Sequence, residues 1–93
     1  MFVFVLLLSP PTLDHAAPTR DQAIEVVTYW EREAAYFEQH AESEGLHEAF
    51  RECREEFRSW LGRDYATDTL RRLERARERL RILASRQQVL RSA

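Results

Sequence analysis

The chain has 93 residues, which is enough for one domain and too few for two. It is 44% hydrophobic and 32% charged with only 2 Gly and 3 Pro, and this composition excludes a disordered chain and a turn-rich β-sandwich. Its one cysteine, Cys53, excludes an intrachain disulfide and favours an intracellular, cytoplasmic location over secretion.

Charge is spread unevenly along the chain, and every basic residue is an arginine. Residues 20–62 hold 5 arginines against 11 acids, a net charge of −6, whereas residues 63–93 hold 9 arginines against 4 acids, a net charge of +5. Asp14 supplies the remaining −1 of the total of −2. This asymmetry predicts that the acidic part of the chain and its basic part recognise each other.

Residues 2–8 form an unbroken apolar run, and all three prolines lie within residues 9–18. The run is too short for a transmembrane helix, which takes about 20 residues. It also lacks the basic region and the small-residue cleavage site of a signal peptide, so a membrane role is the less favoured reading. We predict an apolar arm and linker over residues 1–18, followed by a helical bundle over residues 19–93.

The first helix is predicted to begin at a capping box formed by Thr19 and Gln22. Apolar residues then recur at alternating spacings of four and three, which is typical of one helical face. They are Ala23, Val27, Trp30, Ala34, Phe37 and Ala41. The next positions of this stripe would be Glu44 and Glu48, so we predict that the helix, over about 20–43, ends there with Gly45 as its left-handed C-cap.

Two further helices are predicted over about 46–61 and 66–92, and Gly62 is expected to end the first of them. The apolar face of the second helix consists of Leu46, Phe50, Cys53, Phe57 and Trp60. That of the third consists of Leu70, Leu73, Ala76, Leu80, Leu83 and Leu90, with Gln87 interrupting it. Because short connections favour antiparallel neighbours, the sequence predicts an all-α, three-helix, up-down-up bundle.

Charged residues flank these apolar stripes at intervals of seven. Arg72, Arg79 and Arg86 lie along one flank of the third helix, and Glu31 and Glu38 lie along a flank of the first. Flanking charges face each other across helix interfaces, so we predict that the first and third helices are neighbours. Each exposed pair contributes only about 0.2–1 kcal/mol, so the charges select the arrangement more than they stabilise it.

A second strip on the first helix, formed by Val26, Tyr29, Tyr36 and His40, is the predicted partner-binding surface. Tyrosines are amphipathic and common at interfaces, and an apolar strip of this kind is expected to be covered. The occupant would be a protein partner or a second copy in a homodimer. Docking of the N-terminal arm of the same chain is the alternative.

The third helix carries the alternative function, nucleic-acid binding. A run of arginines on one helix attracts a polyanion, and no aromatic residue lies among these arginines to stack on bases, so contacts would be to the backbone. The candidate residues are Arg71, Arg72, Arg75, Arg79 and Arg86.

Metal binding and catalysis are not expected. Glu44 and His47 have the Glu-x-x-His spacing of di-iron bundles, but Gly45 lies between them and every other glutamate is predicted to face outward. The sequence has no phosphate loop, nucleophile elbow or cysteine–histidine pattern, so we expect no catalytic residues and no cofactor. The predicted function is a non-enzymatic helical module for protein–protein interaction.

Overall fold

A computed structural model of the chain describes residues 18–92. This part contains three helices, α1 (Arg20–Gln39), α2 (Leu46–Trp60) and α3 (Thr67–Ser92), and no strand. The predicted all-α class is confirmed, and the bounds of α2 and α3 agree with the predicted ones to within one residue. The predicted apolar arm lies outside the described residues.

Side-chain hydrogen bonds mark the beginning of α1 and the turn that follows its end. Thr19 Oγ1 accepts from the backbone of Gln22 at 3.2 Å, and Gln22 Oε1 accepts from the backbone of Thr19 at 3.0 Å, which confirms the capping box. The predicted end at residue 43 was wrong, because α1 stops at Gln39. Past that point the Gln87 amide of α3 donates to the carbonyl oxygens of Ala41 at 2.7 Å and Ser43 at 3.3 Å, which favours a turn over further helix.

Two glycines with positive φ flank α2. Gly62, at φ 84°, follows the C-cap residue Leu61 and ends α2 as predicted. Gly45, at φ 95°, was predicted to cap the end of α1, but it is the residue directly before α2 and forms its N-cap position. The left-handed conformation therefore directs the chain into α2 after the 40–44 turn.

The third helix lies between the other two. It packs closely against α1 on one side and α2 on the other, whereas α1 and α2 contact each other little. Arg20 binds Asp64 at 2.6 Å near the beginnings of α1 and α3, and Gln87 binds Ala41 past the end of α1. Thus α1 and α3 run in the same direction, as an up-down-up bundle requires.

The core consists of large side chains around α3. Trp30, Trp60, Leu73 and Leu80 are fully buried, and burial of such a side chain contributes about 1.5–3 kcal/mol. Among residues 18–92 the buried apolar side chains are Ala23, Val26, Val27, Trp30, Ala34, Phe37, Leu46, Ala49, Cys53, Trp60, Leu73, Ala76, Leu80, Leu83 and Ala84.

The buried face of α2 differs from the prediction. Phe50 and Phe57 are only half-buried, whereas Glu56 is buried. Glu56, like the other glutamates outside the Glu-x-x-His pattern, was predicted to face outward. Glu56 Oε2 accepts a hydrogen bond from Trp60 Nε1 at 2.7 Å, so the carboxylate satisfies a buried indole. The guanidinium carbon of Arg77 on α3 lies 5.0 Å from the centre of the Phe57 ring on α2. This cation–π contact covers the ring on the side that faces α3.

The conformation of Gly45 leads to a stability prediction. A Cβ at this position would meet nothing within 4 Å, so Gly45→Ala would cost backbone strain alone, about 1–2 kcal/mol in the free energy of unfolding. Gly45→Asn should cost less, because asparagine tolerates the left-handed region. Urea denaturation of both variants measures the difference, and equal losses would show that φ strain is not the cause.

Candidate interaction surface

Two pairs of opposite charges join α1 to α3. Arg72 donates from Nε and Nη2 to the two carboxylate oxygens of Glu31 at 2.8 and 2.7 Å. Arg79 does the same with Glu38 at 2.8 and 2.6 Å. Both pairs join residues 41 positions apart, so this Arg–Glu ladder repeats every seven residues along the parallel helices. The predicted pairing of α1 with α3 is confirmed.

The ladder changes the acidity of its carboxyl groups. Hydrogen bonds from Arg72 hold the pKa of Glu31 below its usual value, and those from Arg79 do the same for Glu38. The native state therefore holds fewer protons on these groups than the unfolded state does. Their contribution to stability is present above the unfolded pKa and is lost as the pH falls through the lower native pKa.

A third arginine follows in the same series, but α1 provides no partner for it. Arg86 lies seven residues beyond Arg79, and the position 41 residues before it is Gly45, which lies beyond the end of α1. No salt bridge joins Arg86 to any residue between 18 and 92. Of the three predicted flanking arginines, two are thus bound within the bundle.

The last turns of α3 extend past the end of α1. Val89 and Leu90 are each 66% exposed, and Ile82, two turns before Val89, is 38% exposed. Leu90 was predicted to be a core residue, and the prediction was wrong because no described part of α1 or α2 reaches it. Gln87, which was predicted to interrupt the apolar face, is instead buried against the 40–44 turn.

A groove of about 470 Å³ opens where α1 ends beside α3. Ala41, Leu83, Gln87 and Leu90 provide its neutral lining. The acids Glu38 and Glu42 line it from α1 and the following turn, and Arg86 and Arg91 line it from α3. We call Ile82, Arg86, Val89, Leu90 and Arg91 the α3 end surface.

The predicted strip on α1 is not one accessible surface. Val26, which was predicted to bind a partner, is fully buried and presents no surface in the folded chain. Val26 shares a flank of α1 with Glu33, which lies seven residues further along the helix and is half-buried. Tyr29 is half-buried with its ring edge-on to Trp30 at 4.8 Å, and burial, with Glu33 and then Glu52, raises its pKa to about 12.

Tyr36 and His40 are the accessible part of the strip. Tyr36 is 48% exposed, and its ring stacks on His40 with centroids 4.4 Å apart and planes at 15°. His40 Nδ1 also lies 3.0 Å from the carbonyl oxygen of Tyr36. This stacked pair presents a small aromatic surface at the end of α1.

The structure divides the arginines predicted to bind nucleic acid. Arg72 and Arg79 are held by the ladder, and Arg71 lies 3.3 Å from Asp68 in its own helix. Neither Arg75 nor Arg86 forms a salt bridge with residues 18–92. The five side chains therefore do not form one continuous unoccupied row.

No other chemical site emerges between residues 18 and 92. Within that range no three His, Cys, Asp or Glu side chains come together as metal ligands would, and no helix is long and apolar enough to cross a membrane. Glu44 lies in the turn and His47 in α2, so the Glu-x-x-His pattern does not share one helix. Burial raises the pKa of the Cys53 thiol to about 12, so it is protonated at neutral pH.

No protein-family model, curated protein or solved structure matches the chain significantly. A function must therefore be argued from the geometry of this molecule. Among residues 18–92, the α3 end surface, the adjoining groove and the Tyr36–His40 stack are exposed features close to one another at the end of α1.

The ladder predicts a measurable coupling between Glu38 and Arg79. Both side chains are about two-fifths exposed, so we expect a double-mutant cycle with Glu38→Gln and Arg79→Gln to give about 0.5–1 kcal/mol, decreasing with added salt. Urea denaturation of the four proteins measures it. Arg75→Gln, which removes an exposed arginine of the same helix, is the control, and a coupling of zero at low salt would contradict the ladder.

Glu52 on α2 leads to a prediction of opposite sign. Burial, and then hydrogen bonding to Glu48 and its charge, raise the pKa of Glu52, so its charged form opposes folding at neutral pH. Glu52→Gln should raise the midpoint of urea denaturation at pH 7, and the gain should shrink as acid protonates Glu52 in the parent protein. Glu25→Gln, at an exposed site, is the matched control; an equal gain there would indicate a general charge effect.

Proposed function

We propose that this chain is a non-enzymatic helical module for protein–protein interaction, and that its partner binds the α3 end surface. The observation that carries the proposal is the exposure of Val89 and Leu90 beside a groove that the bundle leaves open. Removing such side chains from water on binding is favourable, at roughly 25 cal/mol per Å² of apolar surface.

The composition of this surface supports the proposal. Aliphatic side chains lie at its centre, and Arg86 and Arg91 lie beside them. Protein interfaces typically combine an apolar centre with a polar rim, and arginine is enriched among the residues that contribute most to binding. The Tyr36–His40 stack adds a second aromatic contact at the end of α1.

A second copy of the chain is one candidate partner. Direct pairing of two α3 ends is disfavoured, because it would bring Arg86 and Arg91 of one copy toward those of the other. A homodimer would therefore use the α3 end surface against a different face of the second copy. The Tyr36–His40 stack is the aromatic candidate for that face.

Nucleic-acid binding is supported less well. Two of its five candidate arginines, Arg72 and Arg79, already donate both hydrogen bonds of a bidentate pair to glutamates. Binding of a phosphate backbone by those residues would require the ladder to open. Arg75 and Arg86 alone offer two phosphate contacts, and affinity for a polyanion rises with the number of contacts.

Site-specific photo-crosslinking tests the proposed function. We expect a photoreactive amino acid at position 90 to form protein adducts in the purified protein or in cells that express it. The same amino acid at position 61 should form none, because Leu61 is a matched site, 60% exposed but far from the groove. An adduct at twice the 11.1 kDa of one chain would identify a second copy.

Specificity decides how the adducts are interpreted. An adduct at position 90 should disappear when excess unlabelled protein is added and persist when the competitor is the Val89→Glu variant. Absence of any protein adduct at position 90 would overturn the proposal. Adducts that nuclease digestion removes would favour the nucleic-acid alternative instead.

A further inference from the structure

We infer that the α3 end surface receives an acidic amphipathic helix from a partner protein, seated beside α3 along the line that α1 would follow if it continued. The inference rests on the proposed function and specifies the chemistry of the partner. Its basis is the position of Arg86, which follows Arg72 and Arg79 at the same spacing of seven residues. Those two arginines bind glutamates of α1, whereas Arg86 has no such partner among residues 18–92.

The first step is the repeat of the ladder. Arg72 and Arg79 each bind a glutamate 41 residues earlier, on a helix that runs parallel to α3. Arg86 occupies the next equivalent position on the same flank of α3. α1 ends at Gln39, and the position that would match Arg86 in this register is Gly45, which has no carboxylate. A partner helix placed past the end of α1 would bring a carboxylate within reach of Arg86.

The second step is the groove at that place. Leu83 and Leu90 line it from α3, four and three residues from Gln87, and Ala41 lines it from the turn. Its volume of about 470 Å³ leaves room for apolar side chains of a partner. Helices that bind grooves insert residues at spacings of three and four, which is the spacing of these lining residues.

The third step is charge. From Arg79 to Ala93 the chain contains no acid, and Arg86 and Arg91 form no salt bridge with residues 18–92. A partner helix with glutamates on the flank that faces α3 would complement both arginines. Glu42 lines the opposite side of the groove, so the glutamates of the partner must lie on one flank only, the flank that faces Arg86 and Arg91. A helix can present such a flank, whereas the uniformly charged surface of an anionic membrane would meet Glu42 as well and would not enter a concave groove.

The apolar arm of the same chain is a poorer occupant. Tyr65 Oη donates to the carbonyl oxygen of Pro18 at 2.6 Å, which fixes the start of the described chain near the beginning of α3. Leu90 lies about 35 Å further along α3 at 1.5 Å per residue. The ten residues from Leu8 to Pro18 span at most about 36 Å, so the arm would reach Leu90 only at full extension. The apolar run itself contains no carboxylate, and Asp14 lies six residues beyond Leu8.

Two synthetic peptides of about twenty residues test the inference. Both carry leucine at heptad positions a and d and alanine or glutamine elsewhere, but one has glutamate and the other lysine at position g, on one flank of the apolar stripe. Fluorescence anisotropy with the full chain should give at least tenfold tighter binding of the glutamate peptide, decreasing with added salt.

Variants of the chain then localise the contact. Arg86→Glu should weaken the glutamate peptide about tenfold, while Arg75→Glu, at an exposed position outside the groove, should change it less than about twofold. Leu90→Ser should weaken it as much as Arg86→Glu, and Leu61→Ser should leave it unchanged. Circular dichroism establishes that each variant is folded.

Each remaining outcome rejects the inference. Equal affinity for the two peptides, or no loss with Arg86→Glu, would remove the charge argument. Tighter peptide binding after deletion of residues 1–17 would identify the arm as occupant. Binding to phosphatidylcholine–phosphatidylserine vesicles that is lost with Leu90→Ser, without peptide binding, would assign the surface to membranes. Protein adducts at position 90 alongside a failed peptide test would leave the proposed function standing and reject only the acidic helix.

Discussion

Everything in this bundle depends on the packing of α3 against two helices that contact each other little. The flank of α3 that carries Arg72 and Arg79 is matched to the acids of α1, and the flank that carries Arg77 covers Phe57 of α2. The bidentate pairs add little energy at their exposure, but they fix the register of two parallel helices, since a shift by one residue would separate both pairs at once. The burial of Trp30, Trp60 and the leucines of α3 then provides most of the stability.

Much of this arrangement could be predicted from the sequence, because it follows from periodicity and charge. The capping box at Thr19, the heptad spacing of Glu31 and Glu38 and the left-handed Gly62 depend on neighbours within a few residues or on a simple repeat. The predictions that were wrong depend on tertiary contacts. Gln87 was predicted to interrupt the apolar face of α3. No sequence pattern reveals that carbonyl oxygens in a turn 44 to 46 residues earlier accept hydrogen bonds from its side chain. Glu56 was assigned to the surface, although Trp60 on the next turn of the same helix offered it a buried donor.

The candidate site was predicted less well than the fold. Val26 and Tyr36 were assigned to the same strip from the sequence, but Val26 is fully buried in the folded chain and Tyr36 is 48% exposed, a difference that depends on tertiary packing. Leu90 continues the apolar face of α3 in phase beyond Gln87, so its spacing alone predicts a core residue. The structure supplies the missing information, because α1 ends at Gln39 and not near residue 43. The third helix therefore has 26 residues against 20 in α1, and the register of the ladder places the excess at the end that carries Leu90.

The order of the helices along the chain has a consequence for synthesis in the cell. During translation α1 and α2 leave the ribosome first, yet each finds its main packing surface on α3, the last of the three to emerge. Until then α1 and α2 lack the helix against which each mainly packs, because they contact each other little. Folding of this small domain must therefore wait until residues 67–92 are clear of the exit tunnel, and a ribosome stalled before them would hold a chain that chaperones recognise.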